Sequence, residues 1–223
     1  MLFENTLYIN LDEREDRRLH VLGELAKIGI AAPERIPAIK ITNPALGCSL
    51  SHLKCLNTAK ARNWKTVFIC EDDITFLHPQ LLLENVEKFS AEYFAAGAVA
   101  AAFDVLIIGG NNASPFRKMT DYCIQIYNCQ TTTGYIVASH YYDTLIENIK
   151  QGIDLYVKNP SDKNLYAIDI YWKILQKRRD SRWYMIIPAT VIQYENYSDI
   201  ENMQTNYSQL MLDVEKSWML RPR

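Results

Sequence analysis

The sequence predicts an α/β fold whose sheet presents its functional groups at the carboxyl ends of the strands. Three observations predict it. Thr66-Val67-Phe68-Ile69-Cys70 is a continuous apolar run, the pattern of a strand buried on both faces. Short apolar strands at Leu7–Leu11 and Phe103–Ile108 are interleaved with segments of helical period. The Thr66 run ends abruptly in Glu71-Asp72-Asp73, where ligands of open α/β sheets bind. Adjacent carboxylates raise one another's pKa, so something positive is expected beside them. A divalent cation is the simplest answer, and carboxylate oxygens suit Mg²⁺ or Mn²⁺. Strand alternation sends Glu71 and Asp73 to one side and Asp72 to the other. The competing reading is an exposed acidic turn.

In chain order, Leu7–Leu11 is the first strand, and the mixed-charge run Asp12 to Arg18 leads into an amphipathic helix carrying Leu19, Leu22 and Leu25. Most of those charges suit a solvated helix face, although arginines just past a strand end also suit a phosphate or carboxylate. The helix stops near Gly29, and Ala31 to Ile41, with Pro33 and Pro37, reads as a connector. Asn43-Pro44 starts a second helix running to about Arg62. Its two stripes, Leu46-Leu50-Leu53-Asn57 and Ala45-Cys48-His52-Cys55-Ala59, predict a central, buried helix. His52 reads on its own as a satisfied core histidine. Gly47 costs about 1 kcal/mol there relative to alanine, which predicts close approach of a backbone or ligand.

After the acids, His78-Pro79 opens a helix to about Phe94 with Leu82, Val86 and Phe89 inward. Phe103–Ile108 is a strand ending in a Gly109-Gly110-Asn111-Asn112 turn, and Tyr122–Tyr127 is a half-buried strand. Thr131-Thr132-Thr133-Gly134 leads into a strand at Tyr135–Ala138, and Ser139 caps a helix to about Ile149. The polar stretch Gly152–Asn164 reads as a mobile, lid-like loop. A helix begins at Ile168, with Asp169 in its first turn, where a capping role alone would justify an aspartate. Trp183–Ile187 and Thr190–Tyr194 are late strands, Asn196–Asp199 is a turn, and Met203 onward is a polar helical tail.

Composition narrows the class. The 223 residues suit one domain over 1–223 with the tail at about 203–223, and 48% hydrophobic against 22% charged residues is ordinary for a globular protein. A net charge of −2 without a basic stripe argues against nucleic acid as a partner. Five cysteines without Cys-x-x-Cys spacing argue for a reducing compartment. No leader precedes the first strand and no apolar run is long enough to span a membrane, so a cytoplasmic, non-secreted protein is expected.

Taken together, the segments resemble glycosyltransferase family 25. Tyr8-Ile9-Asn10-Leu11-Asp12-Glu13-Arg14-Glu15-Asp16-Arg17-Arg18 resembles the family's opening, Gly47-Cys48-Ser49-Leu50-Ser51-His52-Leu53-Lys54 its second block, and Phe68–Asp73 its acidic strand end. Asp104–Gly109, Thr131–Tyr135, Ile168-Asp169 and Ser198-Asp199-Ile200 resemble later blocks in the right order, so the resemblance spans roughly 6–201. It implies a GT-A fold, a mostly parallel Rossmann-like sheet between helices. It also implies inverting transfer of a hexose, galactose or glucose, from a UDP-sugar to a glycan, as in lipopolysaccharide biosynthesis, or to a hydroxylated protein. Mn²⁺ (or Mg²⁺) is the implied cofactor. On this resemblance Asp73 and Glu71 take the metal, and Ile9, Asn10, Leu11, Arg14, Ser49, His52, Glu71 and Asp72 take the nucleotide or the donor, with a structural role as the alternative for Asp72. Asp169 is the general base, and Tyr135, Gln193, Ser198 and Asp199 line the donor or acceptor side. The alternative is a catalytically silent member that binds carbohydrate or protein. Oligomeric state, the sugar and the acceptor stay open.

Overall fold

The first strand, β1 (Thr6–Asn10), is buried along its whole length because both its faces are covered, Leu7 and Ile9 packing into one core cluster and Tyr8 into the other. The computed structural model describes residues 2–94, 103–198 and 203–216. After β1 comes helix α1 (Glu15–Lys27), then β2 (Glu34–Pro37), α2 (Pro44–Ala61) and β3 (Thr66–Glu71). β4 (Ile74–Phe76) and α3 (Pro79–Phe94) follow, then β5 (Val105–Asn112), β6 (Phe116–Lys118), β7 (Cys123–Ile126) and β8 (Cys129–Ala138). The remainder is α4 (Tyr142–Lys158), α5 (Lys163–Tyr166), α6 (Ile168–Tyr171), α7 (Lys173–Gln176), β9 (Trp183–Ile186), β10 (Val191–Gln193), β11 (Asn196–Ser198), β12 (Met203–Thr205) and α8 (Ser208–Leu212).

The main sheet has the order β2-β1-β3-β8-β5-β9-β7-β6. All its strands run one way except β8 and β7, which are antiparallel to both neighbours. Period-2 alternation divides the core in two. Val67, Ile69, Ile107 and Val137 face α2 and α4, whereas Phe68, Cys70, Leu106 and Ile136 face α1 and α3. Each buried aliphatic or aromatic side chain contributes about 1.5–3 kcal/mol. The expected GT-A arrangement, a mostly parallel Rossmann-like sheet between helices, is present. Because the chain leaves β1 for β2 on one edge and then crosses to β3 on the other, a crevice opens beyond the carboxyl ends of β1 and β3.

Several local expectations hold closely. Asn43 caps α2 by accepting from the Leu46 amide at 3.1 Å. A Cβ on Gly47 would lie 2.4 Å from the Ile39 carbonyl oxygen, so the close approach is that of a backbone. Of the two α2 stripes, only the one with Ala45, His52, Cys55 and Ala59 is buried; Leu46, Leu50 and Leu53 are half-buried and Asn57 is exposed.

Other expectations are corrected. The connector contains β2, a parallel edge strand whose proline sits at its last residue. Gly109-Gly110-Asn111-Asn112 continues β5 through an irregular register rather than turning, because any Cβ at Gly109 or Gly110 would strike neighbouring side chains. No side chain caps α4, which runs to Lys158 and absorbs most of the anticipated lid, because Leu145, Ile149 and Tyr156 repeat on one buried face. The helix expected from Ile168 is two separate single turns, α6 and α7. The Asn196 turn is strand β11 paired with β12, and the tail is that strand plus α8, docked through buried Met211 and Lys216. Asp199 and the last seven residues, 217–223, lie outside the described residues.

Candidate active site

Glu71 closes β3, and Asp72 and Asp73 follow in the turn before β4. Their environments differ. Asp72 turns toward β1 and α1, accepting from Asn10 Nδ2 at 2.7 Å and from Arg17 Nη1 at 3.1 Å. Burial raises its proton affinity, and Arg17 and Asn10 act against that rise. Glu71 and Asp73 face the other way and share Gln193, whose Nε2 lies 3.4 Å from Glu71 Oε2 and 3.5 Å from Asp73 Oδ2. The antiparallel β4–β10 pairing puts Gln193 there. Glu71 Oε1 also meets His52 Nε2 at 3.2 Å and the Thr132 hydroxyl. Burial opposes the Glu71 charge, but the His52 and Thr132 hydrogen bonds outweigh it and hold the carboxyl below its ordinary range. Asp73 shows the reverse. Burial, then the Glu71 and Asp72 charges, push it well above the carboxylate range, against a 3.7 Å contact with Arg17. Asp73 Oδ1 is buried and accepts no hydrogen bond. A buried carboxylate oxygen left over beside two further anions fits a divalent cation.

Two cavities meet at Glu71. The larger, about 480 Å³, opens between β1, α1 and α2 and is lined by Ile9, Leu11, Arg14, His52 and all three acids. The smaller, about 270 Å³, is lined by Thr131, Thr132, Lys163, Asn164 and Asp169. Cys48, Glu71, Gln193 and Tyr207 line both and so form their common wall.

Asp169 stands in the first turn of α6, but it does not cap it. Its Oδ2 accepts from the Thr131 amide at 3.0 Å. Burial first, and Glu71 among the further causes, raise its proton affinity. The amide is aimed by a bulge: two steps along β5, Gly109 to Asn111, are matched by four along β8, Gly134 to Gln130. Thr131 lies inside it at φ 76°, a strained conformation for a β-branched residue. One irregular tripeptide thereby holds both Glu71, through Thr132, and Asp169, through Thr131.

The structure brings Ile9, Asn10, Leu11, Arg14, His52, Glu71, Asp72 and Asp73 together around the larger cavity. Within that group Asn10 is buried and bonded to Asp72, to the Arg14 carbonyl oxygen and to Arg35. Arg14 makes a two-point ion pair with Asp16, whose carboxyl it pulls down to about 2. Ser49 stays apart: it is buried, its hydroxyl donates to the Ala45 carbonyl at 3.0 Å, and it lines neither cavity. Tyr135 is fully buried behind His52, its hydroxyl 2.9 Å from Nδ1. Sequence reasoning gave Arg17 no individual role, although arginines past the first strand were expected to suit a phosphate or carboxylate, and it passed over Tyr207, which carried no local signal.

The sequence profile of glycosyltransferase family 25, described as LPS biosynthesis proteins, matches residues 31–163. No curated protein matches the chain. Among solved structures, A197 from STIV is 12% identical at a TM-score of 0.47, covering 90% of this chain and 92% of its own. A glycosyltransferase involved in glycosylation of the major capsid of PBCV-1 is 9% identical at 0.46, covering 94% and 88%. A mutant Drosophila β-1,4-galactosyltransferase 7, in complex with manganese, UDP-Gal and xylobiose, is 10% identical at 0.39, covering 98% and 79%. More than half of the chain lies within the family profile, and the chain belongs to glycosyltransferase family 25, a family of sugar-transferring enzymes.

Proposed function

We propose that this chain, as a single domain, is an inverting, metal-dependent transferase. It moves a hexose, galactose or glucose, from a UDP-sugar to a hydroxyl of a glycan or hydroxylated protein. The observation that carries this reading is the pair of cavities divided by Glu71, with Asp169 in the smaller one. Inverting displacement needs the leaving diphosphate and the general base on opposite sides of the sugar carbon, and two cavities sharing one wall supply two sides.

The donor takes the larger cavity, its nucleotide against Ile9, Leu11 and Arg14. Glu71 and Asp73 would hold Mn²⁺ or Mg²⁺, which when bound offsets charge developing on the diphosphate. His52 and Thr132 keep Glu71 ionised and oriented. Asp72 serves the site indirectly, by holding Asn10 and Arg17, and Ser49 serves α2. The acceptor takes the smaller cavity, where Asp169 receives the proton of the attacking hydroxyl. Its raised proton affinity brings it closer to the operating pH, which favours general-base catalysis.

The direct test is a panel of UDP-sugars with and without Mn²⁺, following UDP release. Metal-dependent turnover with at least one donor is expected. A chain that binds no nucleotide sugar under any of these conditions would be a silent binding module instead.

A further inference from the structure

We propose that Cys48, His52 and Glu71 form a second metal site, one that takes Zn²⁺ or another thiophilic divalent ion. It differs in ligand chemistry from the all-oxygen pair Asp73–Glu71. One sulfur, one imidazole nitrogen and one carboxylate oxygen here lie within 4.8 Å of one another. His52 Nε2 and Glu71 Oε1 are 3.2 Å apart, and Cys48 Sγ and Glu71 Oε1 are 3.9 Å apart. A tetrahedral zinc ion with bonds of about 2.0–2.3 Å sets its ligands roughly 3.3–3.6 Å apart, so the set closes on an ion with shifts of about 1 Å or less. Three protein ligands with the fourth position facing a cavity is the pattern of an open zinc site.

The local fold supports these roles. Cys48 and His52 are four residues apart on α2 and therefore share a face. His52 is fully buried, and its Nδ1 is held at 2.9 Å by the Tyr135 hydroxyl, which fixes the ring with Nε2 toward Glu71. Cys48 lines both cavities, whereas Cys55, Cys70, Cys123 and Cys129 are buried in the core. An ion bound here occupies Glu71, and so Zn²⁺ antagonises the oxygen-ligated ion.

The test needs no sugar donor and so stands or falls apart from the transferase reading. Co²⁺ is titrated into the metal-free full chain and followed by absorption. The expected result is one equivalent bound, with tetrahedral d–d bands and a thiolate-to-cobalt charge-transfer band that Zn²⁺ displaces. Cys48→Ser loses the charge-transfer band, and Asp73→Asn keeps it. Tyr135→Phe weakens Zn²⁺ about 10- to 100-fold. A charge-transfer band that never forms, that survives in Cys48→Ser, or that disappears in Asp73→Asn overturns the proposal. Should Cys48→Ser not fold, the alkylation rate of Cys48 in the parent chain decides the matter: Zn²⁺ protects the thiol if the site exists and leaves its rate unchanged if it does not.

Discussion

Asp72 and Asp73 are neighbours in the chain, yet they belong to opposite kinds of surroundings. On one wall, Asp72 has both carboxylate oxygens hydrogen-bonded: Asn10 donates to Oδ2 and Arg17 to Oδ1, and Arg35 donates in turn to Asn10. On the other, Asp73 is only half satisfied: Gln193 lies within reach of its Oδ2, its Oδ1 has no hydrogen bond, and the carboxyls of Asp73 and Asp169 both hold their protons above the ordinary range. On the proposed function, the first wall is scaffold and the second carries the chemistry. Residues kept at a site against their own stability are best explained by what they bind or transfer.

The largest expected effect lies on the second wall. Asp169→Asn should cut transfer about 10²- to 10⁴-fold, while UDP binding by calorimetry stays near that of the parent. In the parent, the acid limb of the kcat profile should sit above the usual carboxylate range, because the base works only when deprotonated. Transfer that survives the substitution would assign the base elsewhere.

On the first wall, Asp72→Ala should lower stability by about 1–3 kcal/mol in urea unfolding, because Asn10 and a mostly buried Arg17 lose their shared acceptor while Arg17 keeps its 3.7 Å contact with Asp73. Asp73→Asn should move stability in the opposite direction. It removes a buried carboxyl whose Oδ1 is unpaired and should add roughly 1–3 kcal/mol in metal-free buffer, while metal-dependent UDP binding is lost. The gain should depend on pH. Folded Asp73 keeps its proton above the ordinary value of 3.8, so between that value and its raised one the folded state binds more protons than the unfolded. Stability conferred by this group therefore falls as pH rises through that window, and the advantage of Asp73→Asn should widen from about pH 4 upward. A parallel pair of melting curves across pH would contradict the assignment.

The smallest effect concerns the bulge. Thr131→Gly relieves a left-handed β-branched residue but adds unfolded-state entropy, for a net gain within about 1 kcal/mol. Because the amide that holds Asp169 becomes less constrained, kcat should fall more than UDP affinity does. Equal losses in both would mean that the bulge merely shapes the cavity.

Much of this organisation was legible in the residues themselves. Apolar runs and caps located β1, β3, α2 and α3, since buried strands and capped helices are decided by nearby residues. Glu71-Asp72-Asp73 could be read as a site because strand alternation and like-charge repulsion act over three residues. The short edge pieces β2, β4, β11 and β12 were not legible, because three or four residues become a strand only when a partner strand is present.

By itself, then, the sequence determined an α/β chain with a buried acidic strand end and a family resemblance that the profile match bears out. Tertiary structure alone decided which acid is satisfied and which keeps an unpaired oxygen. It also decided that Arg17 supplies positive charge beside Asp72 and Asp73, that Gln193 crosses from β10 to bridge Glu71 and Asp73, and that one strained bulge serves both Glu71 and Asp169. The physical reason is range. Helix and strand patterns are written over a few residues, whereas a carboxylate's charge state depends on whatever the fold brings within a few ångströms of it.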